Sequence, residues 1–231
     1  MIEWIIANKL WFILGFGALF NFCWLSQYRK RLRMSVWMAA LLSLAHMICA
    51  VLCAKIFAFM EGVPGGMSLY GGLFFLPVLF CGIALLTKRS IADACDVFTI
   101  PNIVTVFCAR LNCIFSGCCL GKVIPWTDGI RWPTREIELV LYVVLYIVLR
   151  NKIRKKHFEG KLYPIYMISY GTFRFIVEFF RESEHDFGWF HISHLWSLIA
   201  MAVGAGIYMS ISRKTKDSMK RGKRSGRAIR H

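Results

Sequence analysis

Apolar residues run through this chain in blocks of about 17 to 25, the length a helix needs to cross the hydrocarbon core of a bilayer. Seven blocks can be marked, at residues 8–27, 36–60, 68–87, 91–115, 136–149, 162–180 and 192–212. The fifth is short. The fourth is interrupted by Pro101 and several polar residues. No internal repeat and no heptad pattern is visible, so the periodicity predicts an all-α polytopic membrane protein with about seven transmembrane helices.

Composition agrees: 57% hydrophobic, 15% aromatic and only 18% charged residues in 231 place the chain outside the soluble average and within one domain. The net charge of +16 would suit nucleic acid, but its placement argues against that partner. Of 29 Lys and Arg, 21 fall after the first, third, fifth and seventh blocks. By the positive-inside rule this puts the N-terminus outside and the C-terminus in the cytoplasm. No removable signal peptide is expected. Glu3 precedes Lys9, and the first block ends in the basic cluster Arg29, Lys30, Arg31 and Arg33 with no small-residue cleavage pattern. The transmembrane domain then covers residues 1–212. The tail, 213–231, RKTKDSMKRGKRSGRAIRH, has no apolar periodicity and is expected to be disordered and to rest on anionic headgroups.

Three stretches hold polar residues where lipid would reject them. In 163–181, YPIYMISYGTFRFIVEFFR, the residues Tyr170, Arg174, Glu178 and Arg181 step by four, four and three and share one helical face. An arginine at bilayer depth costs about 2.5 to 3.5 kcal/mol on insertion scales. Either Arg174 and Glu178 neutralise each other at i, i+4, or the face is used. In 109–122, ARLNCIFSGCCLGK, Arg110, Cys113, Gly117 and Gly121 lie on one side, and Asn112 and Ser116 suggest an irregular end to the span. Arg110 suits a fork onto a phosphate; the other reading is an internal ion pair with Asp96 or Glu138. In 65–72, GGMSLYGG, four glycines permit close approach by a helix or a ligand, with Ser68 and Tyr70 at the mouth of the third span.

Cys108, Cys113, Cys118 and Cys119 are spaced C-x4-C-x4-C-C, a poor match to the paired C-x2-4-C pattern of zinc sites. Adjacent cysteines rarely bridge each other. Apolar packing is the expectation, with a disulfide on the outer face as the alternative and no metal. Among His46, His157, His185, His191 and His194, only the i, i+3 pair His191 and His194 is close in sequence, and a position at the membrane boundary accounts for it.

The order GGMSxYGG, Asp96, Arg110-Leu111 followed by Gly117 and Gly121, then Pro133-Thr134 with Glu138, then YGTFRFIVEFFR resembles the bacterial prolipoprotein diacylglyceryl transferases. The likeness runs from about Gly65 to Ser197, and YGTFRFIVEFFR is its most specific part. It implies a multi-pass enzyme of the bacterial cytoplasmic membrane, open to the outer leaflet and to membrane lipids. Such an enzyme moves the diacylglyceryl group of phosphatidylglycerol onto the lipobox cysteine of a prolipoprotein signal peptide, without a cofactor. Carried onto matching positions, Arg110 and Arg174 are the essential arginines, with Tyr70 or Glu178 assisting. Tyr170, Arg181, Glu138, Gly121 and Ser68 line the substrate site.

Departures mark a cysteine-containing branch. Tyr70 stands where the family usually has histidine, Cys113 where it has asparagine, Cys118 where it has glutamate, and Trp132 where histidine is common. In the second span, Ala54 and Lys55 replace Gly-Arg. The alternatives are a paralogue acting on another lipid or thiol, or a non-catalytic or redox membrane protein that uses Cys113, Cys118 and Cys119.

Overall fold

The computed structural model describes residues 9–154, 160–182, 186–187 and 190–228. Glu3, Lys155, Lys156, His157, His185 and Arg230 lie outside the described residues. Seven helices follow in order: α1 Lys9–Tyr28, α2 Val36–Met60, α3 Leu69–Leu86, α4 Ile91–Ser116, α5 Thr134–Arg154, α6 Leu162–Glu178 and α7 Ile192–Ala228. A hairpin of two-residue strands, β1 Asp186–Phe187 and β2 Phe190–His191, joins the last two helices. The architecture is therefore all-α in essence.

Among the described residues, five helices are long and apolar enough to cross a membrane, namely α1 to α4 and the first 25 residues of α7. The protein is polytopic. Its outer surface carries Trp11, Trp37, Leu41, Phe59, Val78 and Leu85 largely exposed, while Asn21, His46, Asn102, Arg110 and Glu138 are buried. That inversion is what lipid as a solvent demands. α5 and α6 fall outside that group of five: Arg135, Glu136 and Glu138 begin α5, and Arg174 and Glu178 close α6.

α4 occupies the centre, packed against α1, α3, α5 and α6. The break expected at Pro101 does not occur, because α4 is continuous from Ile91 to Ser116. A proline there cannot bond to the carbonyl four residues earlier. That carbonyl, on Val97, instead accepts a hydrogen bond of 2.9 Å from the Trp24 indole of α1. α3 repeats the device. Pro77 frees the carbonyl of Leu73, which accepts from the hydroxyl of Tyr163 on α6. Neighbouring helices thus supply the donors that the prolines remove. Trp24→Phe and Tyr163→Phe should each destabilise the protein by about 1–3 kcal/mol, the cost of a buried unpaired acceptor. Thermal unfolding in detergent measures this, with Trp11→Phe on the lipid face as the unchanged control.

Two further expectations, the irregular end of α4 and the pairing of Asp96 with Arg110, are corrected. α4 has no irregular end: it stays helical to Ser116 and stops at Gly117, whose φ of 69° gives a left-handed cap. α7 is assigned as helix as far as Ala228. Lys, Arg, Met and Ala are good helix formers, and a helix already nucleated by an apolar span propagates at little cost. Asp96 does not pair with Arg110. Its carboxylate accepts from the backbone N–H groups of Gly160, at 2.7 Å, and Leu162, at 2.9 Å, tying α4 to the start of α6.

Of the glycines of 65–72, Gly71 serves helix contact. Gly71 lies so close to α2 that a Cβ there would collide with the carbonyl oxygen of Cys53, as small residues permit between membrane helices.

Candidate functional site

Arg110 enters the site from α4, Glu138 and Tyr142 from successive turns of α5, and Arg174 and Glu178 from successive turns of α6. The i, i+4 spacing within α5 and α6 places each pair on one face. Packing of α5 and α6 against α4 then turns those faces toward one another. Glu138 becomes the shared acceptor. It pairs with the Nε of Arg110, accepts from Arg174 Nη1 at 2.7 Å, and accepts from the Tyr142 hydroxyl at 3.3 Å.

Arg174 is a fork with both tines engaged, since its Nη2 lies 2.6 Å from Glu178 Oε2. Arg181 completes the group, with Nη1 3.8 Å from the same oxygen. Exposure falls to 3% for Arg110, 1% for Glu138, 4% for Arg174 and 3% for Glu178. Charges so deeply buried persist only when paired and hydrogen-bonded. The two alternatives left open by the sequence are therefore both realised in part: the Arg174–Glu178 pair forms, and Arg110 finds Glu138. Three guanidiniums meet two carboxylates, an excess of one positive charge within the ion-paired group itself; Glu61 lies near Arg174, the Cys119 thiol lies near Arg110 and Arg181, and the mostly buried Arg181 stands at the edge.

Tyrosine rings pack beside the network. Tyr170 stacks on Tyr142 with centroids 6.3 Å apart and meets Tyr70 edge-on at 5.7 Å. The Tyr170 hydroxyl is buried and has no hydrogen-bond partner among the described residues. Tyr70 is differently placed. Its hydroxyl donates to the Ser193 carbonyl at 2.8 Å and lies 2.6 Å from Ser197 Oγ, joining α3 to α7. Ser68 precedes α3, its N–H bonded to the carbonyl of Ala54, and its hydroxyl faces Glu61. Burial raises the Glu61 carboxyl above the ordinary glutamate range, opposed by Ser68, Arg174 and Trp196.

Gly121 is a backbone residue of the site. It forms an antiparallel bridge with Arg181, flanked by bonds from Lys122 N–H to the Phe180 carbonyl at 2.8 Å and from Glu182 N–H to the Leu120 carbonyl at 3.0 Å. A Cβ on Gly121 would strike the Trp132 carbonyl. This bridge draws Arg181 toward the segment after α4. Glu182 does not pair with Arg181; its partner is Arg131, which also donates to the Gly121 carbonyl at 3.1 Å.

The cysteines of that segment converge. Gly117 and Cys119 both have positive φ, 69° and 59°, so the chain folds back on the last turn of α4. As a result the sulfurs of Cys113, Cys118 and Cys119 lie within 4.8 Å of one another. All are free thiols. The neighbouring Cys113 thiol, together with Arg181 and Arg110, holds the Cys119 thiol well below the ordinary range against the effect of its burial. The expectation of simple apolar packing is thereby corrected, since Cys118 is exposed and Cys119 half-buried. His191 and His194 sit at the start of α7 as a boundary pair, with the His191 N–H donating to His194 Nδ1 at 3.0 Å.

Sequence reasoning missed Tyr142, although its i+4 relation to Glu138 was a signal. It also missed Glu61, and Ser193 and Ser197 as partners of Tyr70, for which no local pattern exists.

The family model of prolipoprotein diacylglyceryl transferases matches residues 13–210. A phosphatidylglycerol–prolipoprotein diacylglyceryl transferase from Erwinia tasmaniensis is 31% identical over 181 residues, covering 64% of this chain and 62% of that protein. Proteins of the same description from Escherichia coli K12 and Shigella boydii serotype 18 are 31% identical over 183 residues, with the same coverage. The chain thus matches about 62% of the length of these relatives.

Proposed function

The chain belongs to the prolipoprotein diacylglyceryl transferase family, and from that premise we propose that it transfers the diacylglyceryl group of phosphatidylglycerol to the lipobox cysteine thiol of prolipoproteins, releasing glycerol phosphate. The observation that carries this reading is the buried network of Arg110, Arg174, Arg181, Glu138 and Glu178 with its single excess positive charge. A phosphodiester carries one negative charge and develops a second as the leaving group departs. Preorganised donors in a site of low dielectric act most strongly on charge that develops in the transition state.

In this mechanism Arg110 and Arg174 stabilise the leaving phosphate, and Arg181 guides the headgroup in from the edge. Tyr170 offers its unpartnered hydroxyl to a phosphate oxygen. Glu138 and Glu178 hold the arginines in place, Gly121 fixes the backbone that carries Arg181, and Ser68 lies at the entry. Tyr70 and Glu178 are the residues assigned to assist the thiol. Tyr70 is already bonded to Ser193 and Ser197, and Glu178 to Arg174, so neither is a free proton acceptor as it stands.

The same reading makes α5 and α6 membrane crossings, giving seven. At 21 residues α5 spans about 31 Å, enough for a hydrocarbon core of about 30 Å. The N-terminus then lies outside and the basic end of α7 in the cytoplasm of a bacterium. Residues 1–212 form the catalytic domain, and the basic residues after them meet the anionic leaflet.

The test is a purified-protein assay with phosphatidylglycerol and a lipobox peptide, scored by mass gain of the peptide. Arg110→Ala should lower transfer by about 10² to 10³-fold while the protein still inserts, because Glu138 keeps Arg174 and Tyr142. Full activity of that variant would overturn the mechanism. A paralogue acting on a different lipid or thiol is the second reading, favoured by the thiols that replace the family's asparagine and glutamate at positions 113 and 118. Absence of mass gain beside a working relative selects it.

A further inference from the structure

The thiol cluster supplies what the arginine network lacks, a means of making the attacking thiolate. Three sulfurs within 4.8 Å of one another form a triangle, and its edge between Cys113 and Cys119 measures 3.9 Å. A zinc ion about 2.3 Å from each sulfur in tetrahedral geometry sets such edges at ~3.8 Å. A disulfide requires about 2.05 Å, so the thiols stand at metal-binding separation rather than bonded separation. The backbone maintains this arrangement. Cys113 is held on the last turn of α4, while left-handed residues at Gly117 and Cys119 return the other two to it. The cluster is accessible through the exposed Cys118, and Arg110 and Arg181 lie within electrostatic reach of Cys119. Three protein ligands with an accessible fourth position are the pattern of a catalytic zinc site, whereas structural sites are closed by four.

We propose that Cys113, Cys118 and Cys119 bind Zn2+ as a three-thiolate site whose open position takes the thiol of the acceptor peptide, next to the arginines that take the phosphate. The inference rests on the transferase reading above and replaces the missing protein base with a metal. Coordination deprotonates a thiol outright, and the proton leaves to water. The sulfur lone pair then forms the C–S bond to the terminal glyceryl carbon. The C–O bond to phosphate breaks with its electron pair on oxygen, and glycerol phosphate departs with one more negative charge than the diester had, facing Arg110 and Arg174. No oxidant or reductant is needed, and zinc stays divalent throughout.

The experiment uses the full chain in detergent, stripped under reductant and reloaded with Zn2+ or with Co2+, whose visible spectrum reports tetrahedral thiolate ligation. One metal per chain is expected. Cys113→Ser, Cys118→Ser and Cys119→Ser should each lower affinity at least tenfold, while Cys108→Ser, in the core of α4, leaves it unchanged. Because Cys118 is exposed, its variant tests the site without disturbing packing. A lipobox peptide should shift the Co2+ spectrum, and the same peptide with serine in place of its cysteine should not. The proposal is overturned if the reduced protein retains no metal, or if protein from intact cells carries a Cys113–Cys119 disulfide. Full transfer by metal-free protein also overturns it and leaves the transferase reading standing. Metal binding with a peptide-dependent shift but no mass gain supports the site and removes phosphatidylglycerol as the donor.

Discussion

Glu138→Ala is expected to destabilise the protein more than any other single change in the site. Glu138 is 1% exposed and is the shared acceptor of Arg110, Arg174 and Tyr142. Its removal leaves two guanidiniums facing each other inside the helix bundle with only Glu178 to offset them, and the local charge rises from one to two. Breaking a buried ion pair from one side costs about 3–5 kcal/mol, because the orphaned charge stays desolvated. Thermal unfolding in detergent should show a fall of that size, with reduced yield of folded protein. Glu182→Ala is the comparison. It removes the half-exposed partner of Arg131, and a rim pair of that kind is worth about 0–1 kcal/mol. Equal unfolding temperatures for the two variants would mean that the ion network does not hold α4, α5 and α6 together.

Arg174→Ala should have the largest effect on activity. The fork spans Glu138 at 2.7 Å and Glu178 at 2.6 Å, and without it two arginines face two glutamates with no excess charge. An anionic headgroup then has nothing to compensate it. Transfer should fall by at least the 10² to 10³-fold typical of losing one preorganised donor, and binding of phosphatidylglycerol should fall relative to a neutral diacylglycerol. Folding should suffer less than in Glu138→Ala, since Glu138 keeps Arg110 and Glu178 keeps Arg181. Arg174→Lys separates charge from geometry: a point charge cannot reach both carboxylates as a planar fork does. Recovery of stability without recovery of transfer is expected. Wild-type transfer in either variant would exclude Arg174 from the phosphate site.

Helix positions were legible to within a few residues at most ends, because the free energy of placing a span in lipid is a local sum over its own residues. α2 matches its expected range of 36–60, and α6 begins where expected and ends two residues early. The misjudged points involve partners distant in sequence. Pro101 looked like a break since nothing near it can satisfy the Val97 carbonyl; Trp24, 73 residues away, does so. The convergence of the thiols was likewise hidden, because their spacing was counted along an extended chain. Two left-handed residues turn Cys118 and Cys119 back onto Cys113.

The sequence by itself determined that this protein is a polytopic bundle, that basic residues gather on one side of it, and that Tyr170, Arg174, Glu178 and Arg181 share a face. These properties follow from hydropathy and from the 3.6-residue period, and both act within a single helix. Only the tertiary structure decided that Glu138 stands between two arginines, that Tyr70 is bonded to α7 while the Tyr170 hydroxyl has no hydrogen-bond partner among the described residues, and that three sulfurs meet near Arg110. Ion pairing and ligand convergence depend on distances between helices. Residues 36 positions apart, such as Glu138 and Arg174, acquire a distance only when the helices that carry them pack.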